Sequence, residues 1–167
     1  PRILNKQDLS LLIPDHKYWN CRGVSDDTLT LFGSGVMREG RLKDRYVFPI
    51  FNRKKELVGF AGRDIKDNPS PNRPKWKHIG DKSKWKYPLQ SNLNILQELK
   101  EVIIVESIGD MLALWESGVK NTIVTFGVSI SVELLNLFIK LNMNKMIISF
   151  NNDSSNNSVG NIAADKA

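Results

Sequence analysis

The chain has 167 residues, a net charge of +6 and a single cysteine. This length is enough for one hydrophobic core or two small domains, and the lone Cys21 excludes an internal disulfide framework and a cysteine-cluster zinc site. We therefore expect a buried structural thiol in a reducing, cytoplasmic setting, and the apolar runs, which are no longer than strands, predict no contact with a membrane.

Charge is distributed unevenly along the chain. Residues 1–100 contain 20 Lys and Arg against 11 Asp and Glu, whereas residues 101–167 contain 4 against 7. The basic half favours binding to a polyanion, because lysine and arginine neutralise phosphates. The acidic half is typical of a metal site for phosphoryl chemistry on such a ligand. For the basic half, the alternative is an ordinary solvated surface with no polyanion partner.

The basic half predicts a small α+β region. Ser25 can begin a helix as its N-cap, and residues 46–51 and 57–60 predict two strands joined by the polar hairpin loop 52–56. Residues 66–92 are rich in proline, asparagine and lysine, and they predict a long functional loop with short irregular strands.

The second half has a regular α/β pattern. Helices and strands alternate in the order helix 95–99, strand 102–105, helix 110–117, strand 122–126, helix 131–141 and strand 146–150. This alternation predicts a parallel sheet flanked by helices, with right-handed crossovers. We assign residues 1–97 to a smaller basic subdomain and residues 98–167 to the sheet. Because three strands make a small module, we expect the chain to be a fragment of a longer polypeptide or to have a remodelled end.

Polar oxygen ligands follow two of these strands. Glu106 comes directly after the first strand with Asp110 one helical turn later, and Asn151 and Asp153 follow the third strand. Sites in α/β sheets lie beyond the carboxyl ends of the strands, and hard oxygen ligands suit Mg²⁺, which orients the attacking hydroxyl in phosphoryl transfer. The alternative is that Glu106 and Asp110 are a helix cap and a surface carboxylate.

Cations and aromatic rings alternate in two short segments of the basic half. We predict that these segments contact nucleic acid through six residues: Lys75, Trp76, Lys77, Lys84, Trp85 and Lys86. Lysines hold phosphates while rings stack on unpaired bases, and in an extended chain Lys82, Lys84 and Lys86 share one face. The alternative is a solvated lysine face over buried tryptophans.

Three motifs of the second half resemble the Toprim domain of bacterial-type DNA primases. Residues 105–114 (Val-Glu-Ser-Ile-Gly-Asp-Met-Leu-Ala-Leu) resemble its acidic first motif, residues 125–127 (Thr-Phe-Gly) its Thr-Leu-Gly turn, and residues 149–153 (Ser-Phe-Asn-Asn-Asp) its Phe-Asp-x-Asp motif. The chain departs from the family at Ser107, where the family has glycine, and at Asn151, where it has aspartate. The missing charge at Asn151 should weaken cation binding.

Three upstream motifs are similar to the same family and occur in the family's order. They are residues 22–25 (Arg-Gly-Val-Ser), residues 44–50 (Asp-Arg-Tyr-Val-Phe-Pro-Ile) and residues 59–63 (Gly-Phe-Ala-Gly-Arg). The resemblance implies that four basic residues line a channel for template and nucleotide: Arg22, Arg45, Arg63 and Lys75.

The resemblance implies the core of a DNA-dependent RNA primase of bacterial or phage origin, with a Toprim-type sheet in residues 98–167. Such an enzyme joins ribonucleoside triphosphates on single-stranded DNA in the cytoplasm, and its replicative helicase partner would bind parts outside this chain. Glu106 and Asp153 are the implied catalytic residues, and Asp110 and Asn151 complete a Mg²⁺ or Mn²⁺ site. The rivals are another Toprim nuclease or topoisomerase, and a single-strand-binding module with a weakened metal site.

Overall fold

The structure is a computed structural model that describes residues 4–68 and 70–150. The chain divides into two units, Pro1–Lys82 and Ser83–Ala167, and each has its own sheet. Residues 83–97, which we assigned to the basic subdomain, therefore lie in the second unit. No helix among the described residues is long and apolar enough to cross a membrane.

An antiparallel sheet with the strand order β1-β2-β3-β4-β5 organises the first unit. Its strands are β1 (Leu12–Ile13), β2 (Gly35–Met37), β3 (Arg45–Phe51), β4 (Leu57–Asp64) and β5 (Trp76–Gly80). Two short α-helices lie between β1 and β2 in the chain: α1 (Lys17–Asn20) and α2 (Asp26–Leu31). Single 3-10 segments cover Lys6–Leu11, Gly40–Leu42 and Lys82–Lys84.

Local sequence explains two of these elements. The Ser25 hydroxyl accepts a hydrogen bond from the Thr28 amide, which confirms the predicted N-cap of α2. The predicted hairpin is also confirmed, since β3 and β4 pair antiparallel from Arg45 opposite Asp64 to Phe51 opposite Leu57. Polar turn residues between two apolar runs were a sufficient signal for this hairpin.

The two faces of the first sheet have different neighbours. Because side chains alternate along a strand, Arg63 of β4 shares a face with Tyr46 of β3 and Trp76 of β5, which are its cross-strand partners. Trp19 of α1 packs edge-on against Phe48 on this face, with the ring centroids 6.0 Å apart. The opposite face packs on an apolar cluster: Met37, Leu42, Val47, Leu57 and Phe60.

A parallel sheet with the strand order β7-β6-β8 organises the second unit. Its elements in chain order are α3 (Leu89–Leu99), β6 (Glu101–Val105), α4 (Ile108–Glu116), β7 (Thr122–Val124), α5 (Val132–Lys140) and β8 (Lys145–Ser149). The predicted parallel α/β arrangement is confirmed. Its core includes Leu96 of α3, Ile104 of β6 and Phe138 of α5.

Two predicted boundaries in this unit were wrong. Helix α3 begins at Leu89, six residues before the predicted start. Its residue Asn92 is polar but buried, and donates hydrogen bonds to the carbonyls of Lys120 and Thr122. The polarity of Asn92 concealed the helical pattern of the sequence. Strand β7 ends at Val124 because Phe126 adopts a left-handed backbone conformation with φ of 58°.

Candidate functional site

The carboxyl ends of β6 and β7 lie side by side in the second unit. Val105 pairs with Val124, and the half-buried Glu106 follows β6 directly. Thr125 follows β7, and both its amide, at 2.9 Å, and its hydroxyl, at 3.1 Å, donate hydrogen bonds to the Val105 carbonyl. This threonine fixes the two strand ends to each other beside Glu106.

Asp110 lies in the first turn of α4, where it forms a capping box with Ser107. One carboxylate oxygen of Asp110, Oδ2, accepts hydrogen bonds from the Ser107 amide at 3.0 Å and from the Ser107 hydroxyl at 2.8 Å. Ser107 has extended backbone dihedrals, with φ of −132°, so this position does not require a glycine. The hydroxyl that distinguishes this chain from the family motif therefore holds the Asp110 carboxylate.

The other two predicted metal ligands, Asn151 and Asp153, lie outside the described residues. Within residues 4–68 and 70–150, no three His, Cys, Asp or Glu side chains gather as a group that could hold a metal ion. Glu106 and Asp110 nevertheless have the carboxylate chemistry that Mg²⁺ and Mn²⁺ favour. Their positions at the end of β6 and the start of α4 fit two of the ligands of such an ion.

Trp85 is a core residue, in contrast to the stacking role we predicted for it. It is 1% exposed, and its ring packs edge-on against Phe126 with centroids 4.9 Å apart. Tyr87 also packs against Phe126, at 6.1 Å between centroids. The two rings support the left-handed turn at residues 125–127, and no base could stack on Trp85 in this arrangement.

The two lysines beside Trp85 have different surroundings. The exposed Lys84 ends a 3-10 turn with Lys82, so the predicted common face of an extended strand does not form. Lys86 is half-buried, and its ammonium lies 3.3 Å from the Glu133 carboxylate of α5. Both lysines belong to the second unit, so the predicted contact with nucleic acid would be made by that unit and not by the first.

A cavity of about 750 Å³ opens on the first unit, beside α1 and the end of β4. We name it the basic pocket, because it has six basic and three acidic side chains among its lining residues: Lys17, Arg22, Arg63, Lys66, Arg73 and Lys75 with Asp15, Asp64 and Asp67. Three residues predicted from separate motifs, Arg22, Arg63 and Lys75, meet here.

Tyr18 also lines the basic pocket and contacts two of these arginines. The Arg22 guanidinium carbon lies 3.7 Å from the centroid of the Tyr18 ring, and Arg63 Nε donates to the Tyr18 hydroxyl oxygen at 2.9 Å. Our sequence interpretation missed Tyr18. The spacing of four residues between Tyr18 and Arg22 was a signal for the first contact, whereas nothing local indicated the second.

Arg45 lies inside the first unit and not in the channel predicted for it. It is 2% exposed, and its guanidinium donates hydrogen bonds to the carbonyls of Gly62 and Pro74. Burial and the nearby Arg73 charge lower the pKa of Arg45 from its ordinary value. Arg45 therefore ties β3 to β4 and to the segment before β5.

The buried Asp64 carboxylate balances the positive charge in this region. Its Oδ2 lies 2.8 Å from Nε of Arg73. Burial opposes ionisation of Asp64, but hydrogen bonds from Arg73 and from the Lys66 amide, with the charges of Arg73 and Arg45, outweigh burial and lower the pKa. Arg73 also donates to the Lys43 and Asp44 carbonyls, so it is largely committed to structure.

The remaining predicted residues of the first unit occupy both faces of β5. Trp76 is half-buried, and its ring centroid lies 5.9 Å from the Arg63 guanidinium carbon. Lys77 projects to the opposite face and donates a hydrogen bond to the Arg41 carbonyl.

Cys21, which we expected to be buried, is exposed. It follows the end of α1 and lines the basic pocket.

Comparison with known proteins adds to this geometry. Residues 100–167 match the Toprim domain. The chain is 30% identical over 148 residues to the DNA primase of Borreliella burgdorferi, an alignment that covers 84% of this chain and 27% of that protein. The chain thus spans about a quarter of the length of this relative.

Two solved structures have the same fold. A DnaG catalytic core matches with a TM-score of 0.75 and 21% identity, covering 96% of this chain and 61% of that one. A DnaG primase catalytic domain bound to single-stranded DNA matches with a TM-score of 0.72 and 19% identity, covering 94% and 60%.

A parallel sheet with carboxylates at its carboxyl edge, in a segment that matches the family, defines a Toprim protein. The upstream antiparallel unit matches as well, because the primase relatives and structures align with more than the Toprim segment. The chain belongs to the family of bacterial DNA primases, and its fold is that of the DnaG catalytic core.

Proposed function

We propose that this chain is the part of a DNA primase that binds single-stranded DNA and joins ribonucleotides on it. One observation carries the proposal: Arg22, Arg63 and Lys75, which the resemblance to primases assigns to one channel, line one cavity. The relationship to bacterial DNA primases supports the same activity.

The basic pocket would hold phosphates of the template strand or of a ribonucleoside triphosphate. Guanidinium groups bind phosphate through paired hydrogen bonds, and Lys75 would add a point charge. Trp76, which lies beside Arg63, would offer a face to an unpaired base. That a related primase domain was solved with single-stranded DNA supports a DNA strand as the ligand.

The carboxyl edge of the parallel sheet would hold the metal ion. Toprim primases are metal-dependent in general, and the bound Mg²⁺ or Mn²⁺ would orient the 3′-hydroxyl and stabilise charge on the phosphoryl group. Glu106 would help to bind it and accept the proton of the 3′-hydroxyl, while Asp110, oriented by Ser107, would serve as a further ligand. Asp153 and Asn151 would complete the site, with the amide binding more weakly than a carboxylate.

The proposal divides the work between the parts of the chain. The basic N-terminal part would bind template and nucleotide, and the Toprim part would bind the metal. Lys77 and the exposed Lys84 would add phosphate contacts outside the basic pocket, whereas Lys86 pairs with Glu133. The enzyme would act in the cytoplasm of a bacterium or of a phage-infected cell, with a replicative helicase bound through parts outside this chain.

A paired assay tests the proposal. Incorporation of labelled ribonucleotides on single-stranded DNA, with Mg²⁺ or Mn²⁺, is measured beside the affinity for a fluorescent single-stranded oligonucleotide. We expect E106Q to reduce incorporation by about 100-fold or more, because it removes the proposed base and a metal ligand, and to change the DNA affinity less than about twofold.

The second candidate function is a single-strand-binding module without catalysis, which the amide at Asn151 favours. It predicts DNA binding with no RNA product in the wild type. The restoring variant N151D discriminates further: a primase gains activity with tighter metal binding, whereas a binding module shows no product with either residue.

A further inference from the structure

We propose that Tyr18 is a positioning residue that holds Arg22 and Arg63 in one phosphate-binding geometry within the basic pocket. The inference rests on the proposed function of that pocket. Tyr18 is uncharged and contacts both arginines, so its main effect on the ligand would pass through the two guanidinium groups.

Tyr18 contacts Arg22, four residues later in the chain, once through its ring and once through its main chain. The guanidinium carbon lies 3.7 Å from the ring centroid, which is a close cation–π stack, and Nη1 donates to the Tyr18 main-chain carbonyl at 2.7 Å. Arg22 is exposed and follows the end of α1, so its long side chain would otherwise sample many rotamers. The stack therefore selects one direction for a flexible cation.

Tyr18 fixes Arg63 through its hydroxyl group. The Arg63 Nε–H donates to the Tyr18 oxygen at 2.9 Å, although the residues are 45 positions apart. This bond uses Nε and does not consume the two terminal nitrogens, which form the fork that recognises phosphate. Trp76 flanks Arg63 at 5.9 Å, so two aromatic side chains surround the guanidinium.

One side chain thus contacts two arginines that would repel each other if no anion lay nearby. The ring is used for Arg22 and the hydroxyl for Arg63, so neither phenylalanine nor an aliphatic residue could make both contacts. Lys75 lines the same cavity. Its mutation therefore serves as a matched control, because it removes a positive charge from the pocket without changing a contact of Tyr18. A phosphodiester or triphosphate group is the ligand class that the paired guanidinium groups would take.

The test measures the affinity of the full chain for a fluorescent single-stranded thymidine oligonucleotide as a function of salt. We expect about 3- to 5-fold weaker binding for Y18F, which loses only the hydroxyl, and about 10-fold or more for Y18L. The plot of log affinity against log salt should become shallower by about one for Y18L, because an arginine stops contacting phosphate. A purely structural tyrosine would leave this slope unchanged, since the net charge is the same.

A double-mutant cycle completes the test. Y18F should have less than about a twofold effect in an R63Q background and its full effect in a K75Q background. If R22Q and R63Q weaken binding but both Tyr18 variants bind as the wild type does, the positioning inference is overturned and the pocket's function stands. If R22Q and R63Q bind normally, the pocket's function fails and the inference with it. Should Y18L unfold, as circular dichroism would reveal, Y18F and its cycle still decide.

Discussion

Two segments of similar sequence, Lys75-Trp76-Lys77 and Lys84-Trp85-Lys86, have opposite surroundings in the folded chain. Trp76 lies in β5, half-buried and beside the Arg63 guanidinium. Trp85 lies between a 3-10 turn and α3, wholly buried against Phe126. The alternation of cations and rings defines two faces only in a strand. Similar patterns therefore produce a candidate ligand surface in one unit and a support for a turn in the other.

The arginines of the first unit show the same contrast. Arg45 and Arg63 are one position out of register on neighbouring strands, since Arg63 pairs with Tyr46. Arg63 faces the basic pocket and contacts Tyr18, whereas Arg45 is buried and hydrogen-bonded to backbone carbonyls. Strand pleating thus separates a candidate ligand contact from a structural one. The following predictions test whether mutations of buried residues change mainly the free energy of unfolding, and mutations on the candidate ligand surface mainly the affinity for single-stranded DNA.

The largest effect is expected for W85A in the second unit. Removing a fully buried indole should lower the free energy of unfolding by about 3–5 kcal/mol, measured by urea denaturation. W85F, which keeps a ring against Phe126, should lose about half as much or less. A weaker affinity for single-stranded DNA in W85F, at unchanged stability, would contradict the assignment of Trp85 to the core.

A smaller loss of stability is expected for D64N, which leaves Arg73 and Arg45 without their buried counter-charge. The free energy of unfolding should fall by about 1–3 kcal/mol, with R73Q as the matched variant. Because the folded-state pKa of Asp64 is lowered, its stabilisation is present above the unfolded-state pKa and is lost as the pH falls below about 4 through the folded value. The wild type should therefore lose more stability than D64N over that acidic range, and parallel pH curves would argue against the pairing.

Features that depend on neighbouring residues in the sequence were predictable, whereas features that depend on distant contacts were not. The parallel sheet followed from apolar runs separated by helical segments, and the hairpin from its polar turn. The burial of Arg45 did not follow, because its acceptors at Gly62 and Pro74 lie 17 and 29 positions away. A charged residue in an apolar strand is more often exposed, and only the tertiary fold supplies two carbonyls in its reach.

The candidate site divides in the same way. Glu106 and Asp110 were predictable from a strand followed by a helix start, and their local placement needed no distant contact. The gathering of Arg22, Arg63 and Lys75 was predicted only as an implication of family resemblance, and the partner that organises two of them, Tyr18, was missed. Pattern reasoning located the charged residues, whereas the side chain that would orient them needed the structure.

The next effect is on binding and not on stability. W76L should weaken the affinity for single-stranded DNA by about 10-fold, because one base–aromatic stack contributes roughly 1–3 kcal/mol by substitution. Its stability should fall less than that of W85A, since Trp76 is half-buried. Fluorescence anisotropy and urea denaturation measure the two quantities on the same samples. If W76L lowers stability as much as W85A does and leaves the affinity unchanged, both tryptophans are core residues and the proposed stacking role of Trp76 is wrong.

The smallest effects separate the two lysine sites. K75Q removes a cation from the basic pocket, so binding to single-stranded DNA should weaken by about 3- to 5-fold and the salt slope should fall by about one. K86Q removes a half-buried cation that pairs with Glu133, so the free energy of unfolding should change by about 0–1 kcal/mol and the affinity by less than about twofold. Salt titrations of both variants check this difference directly. If K86Q lowers the slope as much as K75Q does, Lys86 also contacts phosphate, and its pairing with Glu133 does not remove it from the ligand surface.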